Sequence, residues 1–190
     1  MILRDNYSQT ILETNRLYLK ELNPEIVSYL FTSCSDDEIA SYMALKVQEL
    51  AVERYKFENG LTTHQTSFKN FLLLDKTSGS LIGKCGFHTW YPKHSKAEIG
   101  YGIIDENDKG KGYMKEAMKP IIRYGFEEMK LNRIEAYISP ANTASLKLTR
   151  GLGFTEEGTL REHYYKHPKL EDSICFSILK SDYDKIKDQW

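Results

Sequence analysis

A glycine-rich junction between a predicted strand and a long amphipathic helix constrains this chain more than any other feature of its sequence. Residues 97–104 read Ala-Glu-Ile-Gly-Tyr-Gly-Ile-Ile and predict a strand, and apolar side chains recur at helical spacing over residues 114–129. Gly110 and Gly112 lie between them. Glycines let a loop backbone turn its N–H groups toward one point, and a helix N terminus adds unpaired N–H groups and a positive partial charge. The junction therefore predicts a site for a phosphate or pyrophosphate.

The glycine pattern by itself leaves an alternative open. Lys109 and Lys111 add positive charge to the loop, which favours an anion site. The dinucleotide pattern GxGxxG fails, however, because no glycine follows three residues after Gly112, and the P-loop pattern GxxxxGK[ST] fails as well. An isolated GxG can also do no more than shape a turn.

Composition excludes several classes of protein. The 190 residues carry a net charge of −1, so the chain lacks the basic footprint of a nucleic-acid-binding protein. No apolar run reaches the roughly 20 residues of a membrane span, and the first 20 residues mix charged with apolar side chains, unlike a signal peptide. Cys34, Cys85 and Cys175 lie far apart without the spacing of a zinc site. We expect a cytoplasmic protein with free thiols, no metal, and neither nucleic acid nor membrane as partner.

The order of predicted elements indicates an α/β (α+β) fold. No repeat or Pro/Gly/Ser-rich linker divides the chain, so we expect one domain over residues 1–190. A strand region at 11–22 precedes helices that begin at Pro24, Ser35 and residue 45. An antiparallel meander over 71–104, the glycine loop and its helix, a strand at 133–138, a helix from Asn142 to Gly151, and strands near 153–162 and 173–180 follow. This order predicts a mixed sheet with helices packed on it.

The run from Leu81 to Phe154 resembles the GNAT acetyltransferase superfamily. The similar segments occur in the family's order: Leu81-Ile82-Gly83, Ala97-Glu98-Ile99-Gly100-Tyr101, Gly110-Lys111-Gly112-Tyr113-Met114-Lys115-Glu116-Ala117, Arg133-Ile134-Glu135-Ala136, Asn142-Thr143-Ala144-Ser145 and Gly151-Leu152-Gly153-Phe154. The segments 12–17 and 158–161, with Asp172, resemble the branch of ribosomal-protein N-terminal (alanine/serine) acetyltransferases. The resemblance thus covers nearly the whole chain.

The resemblance implies a fold, a cosubstrate and a set of binding residues. It implies a mostly antiparallel sheet that splays between two parallel strands, here 97–104 and 132–139, with acetyl-CoA in the V-shaped opening. The pantetheine would pair with the backbone near Ile103 and Ile104, and Asn142 would bind one of its amides. The residues expected to surround the pyrophosphate are Lys109, Gly110, Lys111, Gly112, Tyr113 and Met114.

Two positions depart from the family pattern. Asn107 stands where the family loop often has Arg or Gln, which we expect to be tolerated because the phosphate contacts are mainly with the backbone. Thr149 stands where many relatives carry the tyrosine that protonates the departing coenzyme thiolate. Another donor must therefore serve that purpose here.

Glu98 and Ser145 are the candidate catalytic residues. An amine is mostly protonated near pH 7, so a base must remove a proton, often through water, and Glu98 lies on the strand that leads to the opening. The alternative for Glu98 is a salt-bridged carboxylate without a catalytic role. Ser145 is the candidate donor to the thiolate, and its alternative is a serine that only supports the start of a helix.

The predicted function is transfer of acetyl from acetyl-CoA to a primary amine by direct attack. The branch favours a protein N-terminal α-amine as acceptor. A small-molecule amine (a polyamine, antibiotic or amino acid) and a non-catalytic acyl-CoA-binding module are the alternatives, and a homodimer is an open expectation. We expect acceptor specificity to depend on residues 24–65 and on a loop at 161–171.

Overall fold

The fold is a twisted mixed sheet with helices on both faces. The computed structural model describes residues 10–60 and 67–190. The strands are β1 (Ile11–Glu13), β2 (Leu17–Leu22), β3 (Ser67–Asp75), β4 (Leu81–Tyr91), β5 (Lys96–Ile103), β6 (Arg133–Ile138), β7 (Thr155–Lys166) and β8 (Lys169–Leu179). The helices are α1 (Pro24–Ser33), α2 (Asp36–Met43), α3 (Leu50–Glu58), α4 (Tyr113–Glu127), α5 (Thr143–Gly151) and α6 (Lys180–Ile186). The predicted fold class is confirmed.

Among the described residues, all strand pairs are antiparallel except one. The strand order is β1-β2-β3-β4-β5-β6-β8-β7, and β5 and β6 form the parallel pair. The connection between these two strands contains α4, as a parallel crossover requires. Within the same residues, no helix is long and apolar enough to cross a membrane.

The first three helices cover one face of the sheet. Asn23 caps α1 by accepting a hydrogen bond from the Ile26 N–H, and Ser35 forms a capping box with Glu38 at the start of α2. These caps satisfy N–H groups that a helix start leaves unpaired. The helices bury apolar side chains against β2 and β3, in a cluster that comprises Leu22, Ile26, Val27, Leu30, Ile39, Ala40, Tyr42, Met43, Leu50 and Phe68.

The larger core lies on the opposite face, beneath α4. The apolar stripe predicted from the sequence is buried along this helix and packs on side chains of the sheet such as Phe87 and Ile134. Phe126 stacks on Tyr183 of α6 with ring centroids 4.9 Å apart. α4 continues through Pro120 because its packing outweighs the loss of one backbone hydrogen bond.

The C-terminal strands differ from the prediction. The expected loop at 161–171 is almost entirely strand, since β7 extends to Lys166 and β8 begins at Lys169. Tyr164 pairs with Glu171 and Tyr165 with Leu170, so backbone pairing overrides a segment whose charged side chains suggested a loop. The strand predicted at 11–22 is also interrupted, by a turn in which the Thr14 hydroxyl accepts a hydrogen bond from the Leu17 N–H.

We predict that Gly125→Val destabilises the fold through overpacking. A Cβ atom at Gly125 would lie 2.6 Å from the ring of the fully buried Phe87 and 3.3 Å from Ile134. Overpacking of this kind typically costs about 1–3 kcal/mol. Gly151→Val is the matched control, because Gly151 is also helical and has open space around its Cβ position. Urea unfolding of both variants tests this, and equal midpoints would contradict the close packing of α4 on β4.

Candidate active site

The two parallel strands diverge after three residue pairs. Lys96, Ala97 and Glu98 of β5 pair with Arg133, Ile134 and Glu135 of β6, respectively, and in the described strands the pairing stops there. Both strands continue, because β4 still holds β5 and β8 still holds β6. The result is a gap lined by two strand edges, as the resemblance implied.

A cavity of about 440 Å³ lies between the far end of β5 and the N termini of α4 and α5. Gly110 and Gly112 line it with φ values of 74° and 82°, in the left-handed region that glycine adopts most readily. The lining residues are Tyr101, Gly102, Ile103, Asp108, Lys109, Gly110, Gly112, Tyr113, Met114, Lys115, Asn142, Ala144, Ser145 and Leu148.

The start of α4 fits an anion. Gly112 is the N-cap residue and has no side chain with which to accept hydrogen bonds from the first turn. These N–H groups and the positive end of the helix dipole are therefore available to a ligand in the cavity. Lys109 and Lys111 are bonded to Glu106 and Asp108, so each must share its charge with an acid when an anion binds.

Arg16 ties the N-terminal segment to this loop, a role that the sequence pattern did not reveal. Its guanidinium forms an ion pair with Glu116 of α4 at 2.7 Å, donates to the Lys111 carbonyl at 3.1 Å, and lies 4.2 Å from the centre of the Tyr113 ring. The Thr14 hydroxyl donates to the same carboxylate at 2.6 Å. Although burial favours the neutral acid, the hydrogen bonds from Thr14 and Arg16 lower the pKa of Glu116. The contacts hold the first turn of α4 in place.

Asn142 and Ser145 lie together at the start of α5. The Asn142 side-chain oxygen accepts a hydrogen bond from the Ser145 N–H at 3.1 Å, so the predicted cap is confirmed. The Tyr101 hydroxyl lies 3.0 Å from the Thr149 hydroxyl and also interacts with Ser145. Burial raises the pKa of Tyr101 against the effect of these hydrogen bonds, so the phenol stays protonated at neutral pH. Tyr101 is a second residue that the sequence pattern missed.

A second cavity, of about 390 Å³, lies beside β3, β4 and β5. Its lining residues are Asn70, Lys84, Cys85, His88, Gly100, Tyr101, Gly102, Ile103 and Ile104. Side chains alternate between the two faces of a strand. Phe87 of β4 points to the face covered by α4, whereas Lys84 and His88 point to the opposite face. The second cavity therefore opens on the face away from α4. The two cavities share Tyr101, Gly102 and Ile103, and β5 is therefore the wall between them.

Glu98 lies at the point of divergence. Its side chain is 16% exposed, and Oε1 lies 3.3 Å from Nε2 of His88. Burial raises the pKa of both Tyr137 and Tyr164, and the nearby Glu98 carboxylate adds to the rise in each. Glu98 therefore lies close to the phenols of Tyr137 and Tyr164 as well as to the imidazole of His88.

The predicted site residues do not all meet in one place. The cavity of about 440 Å³ at the starts of α4 and α5 gathers Ile103, Lys109, Gly110, Gly112, Tyr113, Met114, Asn142 and Ser145. Ile104 lines the second cavity, Glu98 is connected to that cavity through His88, and Lys111 lines neither. Across residues 10–60 and 67–190, no group of three or more His, Cys, Asp or Glu side chains could hold a metal ion.

Sequence comparison identifies the family. The family model described as an acetyltransferase (GNAT) domain matches residues 16–155. The chain belongs to the GNAT acetyltransferase family. It is also 35% identical to the uncharacterized N-acetyltransferase p20 of Bacillus licheniformis over 175 residues, which are 90% of this chain and 97% of p20. This GNAT chain is accordingly an acyl-CoA-dependent N-acetyltransferase, as the resemblance implied, and the family uses acetyl-CoA.

Solved structures agree with the GNAT fold. The ribosomal-protein-S5-alanine acetyltransferase of Vibrio fischeri has a TM-score of 0.64 at 22% identity, covering 92% of this chain and 98% of that chain. The spermidine/spermine N-acetyltransferase SpeG of Vibrio cholerae has a TM-score of 0.63 at 21% identity, covering 90% of this chain and 96% of that chain. At these identities the likeness concerns the fold alone.

We predict that Gly112→Asp weakens binding of acetyl-CoA about 10-fold or more. The substitution places a carboxylate at the helix start that would face the pyrophosphate, and like charges at a close contact cost several kcal/mol. Gly79→Asp is the matched control, because Gly79 also has a positive φ, 71°, with open space around its Cβ position. It lies in the turn between β3 and β4, away from the loop. Calorimetry with acetyl-CoA tests both, and unchanged affinity of Gly112→Asp would overturn this placement.

Proposed function

We propose that the protein transfers acetyl from acetyl-CoA to the N-terminal α-amine of a protein or peptide. The observation that carries the proposal is the pair of cavities on opposite faces of β5, which share Tyr101, Gly102 and Ile103 next to the gap between β5 and β6. One cavity has the helix start that suits a pyrophosphate. The other offers a separate approach for an amine.

The coenzyme is proposed to lie along the first cavity. Backbone N–H groups at Gly112 and the first turn of α4 bind the pyrophosphate, with Lys109 beside it. The pantetheine arm follows the free edge of β5 at Ile103, where an extended amide chain can pair as an added strand would. Asn142 binds a pantetheine amide. The thioester then reaches the gap near Ser145.

The reaction proceeds by direct attack. The amine nitrogen forms a bond to the thioester carbonyl carbon, the carbon–sulfur bond breaks, and its electron pair leaves on sulfur. Glu98, acting through water, takes up the proton that the amine loses, and it returns that proton to solvent. The Ser145 hydroxyl donates a hydrogen bond to the thiolate, which takes a proton as the coenzyme departs. The N terminus of α5 favours the same negative charge.

The acceptor cavity supports a single amine rather than a polyamine. Within the part of the chain that the structure describes, its lining contains the cation Lys84 and no carboxylate, whereas a polycation would need several acids. Lys84 forms an ion pair with Glu53 of α3, in which Nζ of the lysine lies 3.5 Å from Oε1 of the glutamate. α3 therefore contributes to acceptor choice, as expected for part of residues 24–65, of which 61–65 lie outside the described residues. The Vibrio fischeri neighbour is named a ribosomal-protein-S5-alanine acetyltransferase, which favours a protein acceptor. SpeG is named a spermidine/spermine N-acetyltransferase, which corresponds to the polyamine alternative.

A thiol-release assay with matched acceptors tests the proposed function. We expect peptides that begin with Ala or Ser to be acetylated with a higher kcat/KM than spermidine or a free amino acid. The same peptides with a blocked N terminus and an internal lysine are the control, since they separate the α-amine from other amines. A preference for spermidine would overturn the proposed acceptor, as would acetylation of the blocked peptides.

We predict that Ser145→Ala lowers the rate of the chemical step about 10- to 100-fold with little change in acetyl-CoA affinity. A hydrogen bond to a charged group is worth roughly 1.5–3 kcal/mol, and this one strengthens as charge develops on sulfur. Tyr101→Phe should reduce kcat by a smaller factor, because the Tyr101 hydroxyl acts on sulfur only by orienting Ser145. Single-turnover kinetics and direct binding test both variants. An unchanged single-turnover rate in Ser145→Ala would return Ser145 to a purely structural role at the helix start.

A further inference from the structure

We propose that His88 is a positioning residue that holds the Glu98 carboxylate at the divergence of β5 and β6, beside the cavity assigned to the acceptor amine. This inference rests on the proposed function, in which Glu98 takes up the proton of the amine. His88 lies on β4, so the contact joins two neighbouring strands.

An irregularity in the strand pairing brings His88 to this place. Phe87 pairs with Ile99 and Thr89 pairs with Glu98, so His88 is an extra residue on β4 without an opposite residue on β5. A bulge of this kind redirects a side chain, and bulges are frequent beside active sites. Here the bulge turns the imidazole toward the start of the gap.

Polar contacts on both sides of the imidazole fix the orientation of the ring. Nε2 of His88 lies 3.3 Å from Oε1 of Glu98, and Nδ1 lies 2.9 Å from the Thr89 hydroxyl. A carboxylate oxygen accepts hydrogen bonds, so a hydrogen on Nε2 would face Glu98 while Nδ1 pairs with the Thr89 hydroxyl. One carboxylate oxygen of Glu98 is thereby held by the ring, which leaves the other to receive a proton.

Gly100 provides the space that the imidazole occupies. A Cβ atom at Gly100 would lie 2.3 Å from Cδ2 and 2.9 Å from Nε2 of His88, and the three nearest atoms all belong to this ring. The backbone of Gly100 needs no positive φ, so other residues could adopt its conformation. Glycine is therefore required at this position by the ring of His88 rather than by the backbone.

The position of His88 also connects the carboxylate with the acceptor cavity. The His88 side chain is 44% exposed and lines that cavity, whereas Glu98 is 16% exposed and does not line it. An amine that enters beside Gly100 therefore meets the imidazole and the carboxylate together. The ring restricts the Glu98 side chain to one rotamer at the cavity edge, whereas a glutamate without such a contact would sample several rotamers.

Gly100→Ala is the sharpest test, because it moves the imidazole without changing any ionisable group. We expect kcat to fall roughly 10- to 100-fold, the range for loss of a hydrogen bond to a charged group, while acetyl-CoA affinity stays the same. In a His88→Ala background the added methyl group meets no ring, so Gly100→Ala should then have no further effect. An effect of equal size in both backgrounds would overturn the proposal.

A second cycle links His88 to Glu98. We expect His88→Ala to lower kcat in the wild-type chain and to have little effect in Glu98→Gln, because the carboxylate through which it acts is gone. His88→Gln retains an N–H donor and should recover part of the loss. His94→Ala, a histidine that follows β4 in the turn before β5, is the control and should leave kcat unchanged. Full additivity of His88→Ala and Glu98→Gln would contradict the positioning role.

The outcome can be separated from failure of the proposed function. A wild-type chain that acetylates no peptide contradicts the proposed acceptor, whatever the variants do. NMR signals of the His88 imidazole then test the contact without turnover. We expect these signals to shift in Glu98→Gln and in Gly100→Ala, and unchanged signals in both would overturn the inference. An active wild type with fully active His88→Ala and Gly100→Ala overturns the inference alone.

Discussion

The early divergence of β5 and β6 is the constraint on which the remaining structure depends. In the described strands three residue pairs join β5 and β6, although each strand runs on beyond them. A strand edge without a partner leaves N–H and C=O groups unpaired, which is costly unless water or a ligand satisfies them. β4 and β8 keep the two strands extended from outside, so the gap persists as an opening in an otherwise continuous sheet.

The glycine loop depends in turn on contacts far away in sequence. Glu116 of α4 accepts hydrogen bonds from Thr14 and Arg16, and Arg16 also binds the loop carbonyl of Lys111. These contacts cross about a hundred residues of chain, and they join the turn between β1 and β2 to the first turn of α4. The helix start is thus held from its outer side, while its N–H groups face the cavity.

Local chemistry explains which features could be predicted from the sequence. The glycine loop, the stripe of α4 and the Asn142 cap follow from backbone freedom, periodicity and capping, all of which act within a few residues. His88 could not be found in this way, because its position depends on a bulge that exists only when β4 pairs with β5. Tyr101 was missed for a related reason, since its partner Thr149 is 48 residues away. The hairpin at 161–171 was mistaken for a loop because exposed strands carry polar side chains.

The separation of the two cavities by β5 has a consequence for inhibitor chemistry. Ligands that enter from opposite faces of one strand do not obstruct each other. In the proposed arrangement the coenzyme and the amine can therefore be bound together before reaction, and no product has to leave before the second substrate binds. A bisubstrate compound that occupies both cavities would have to pass through the gap between β5 and β6, where the strands have just parted. Its linker should therefore be short and unbranched. Such a compound would gain from the high effective concentration of its second half once the first is bound.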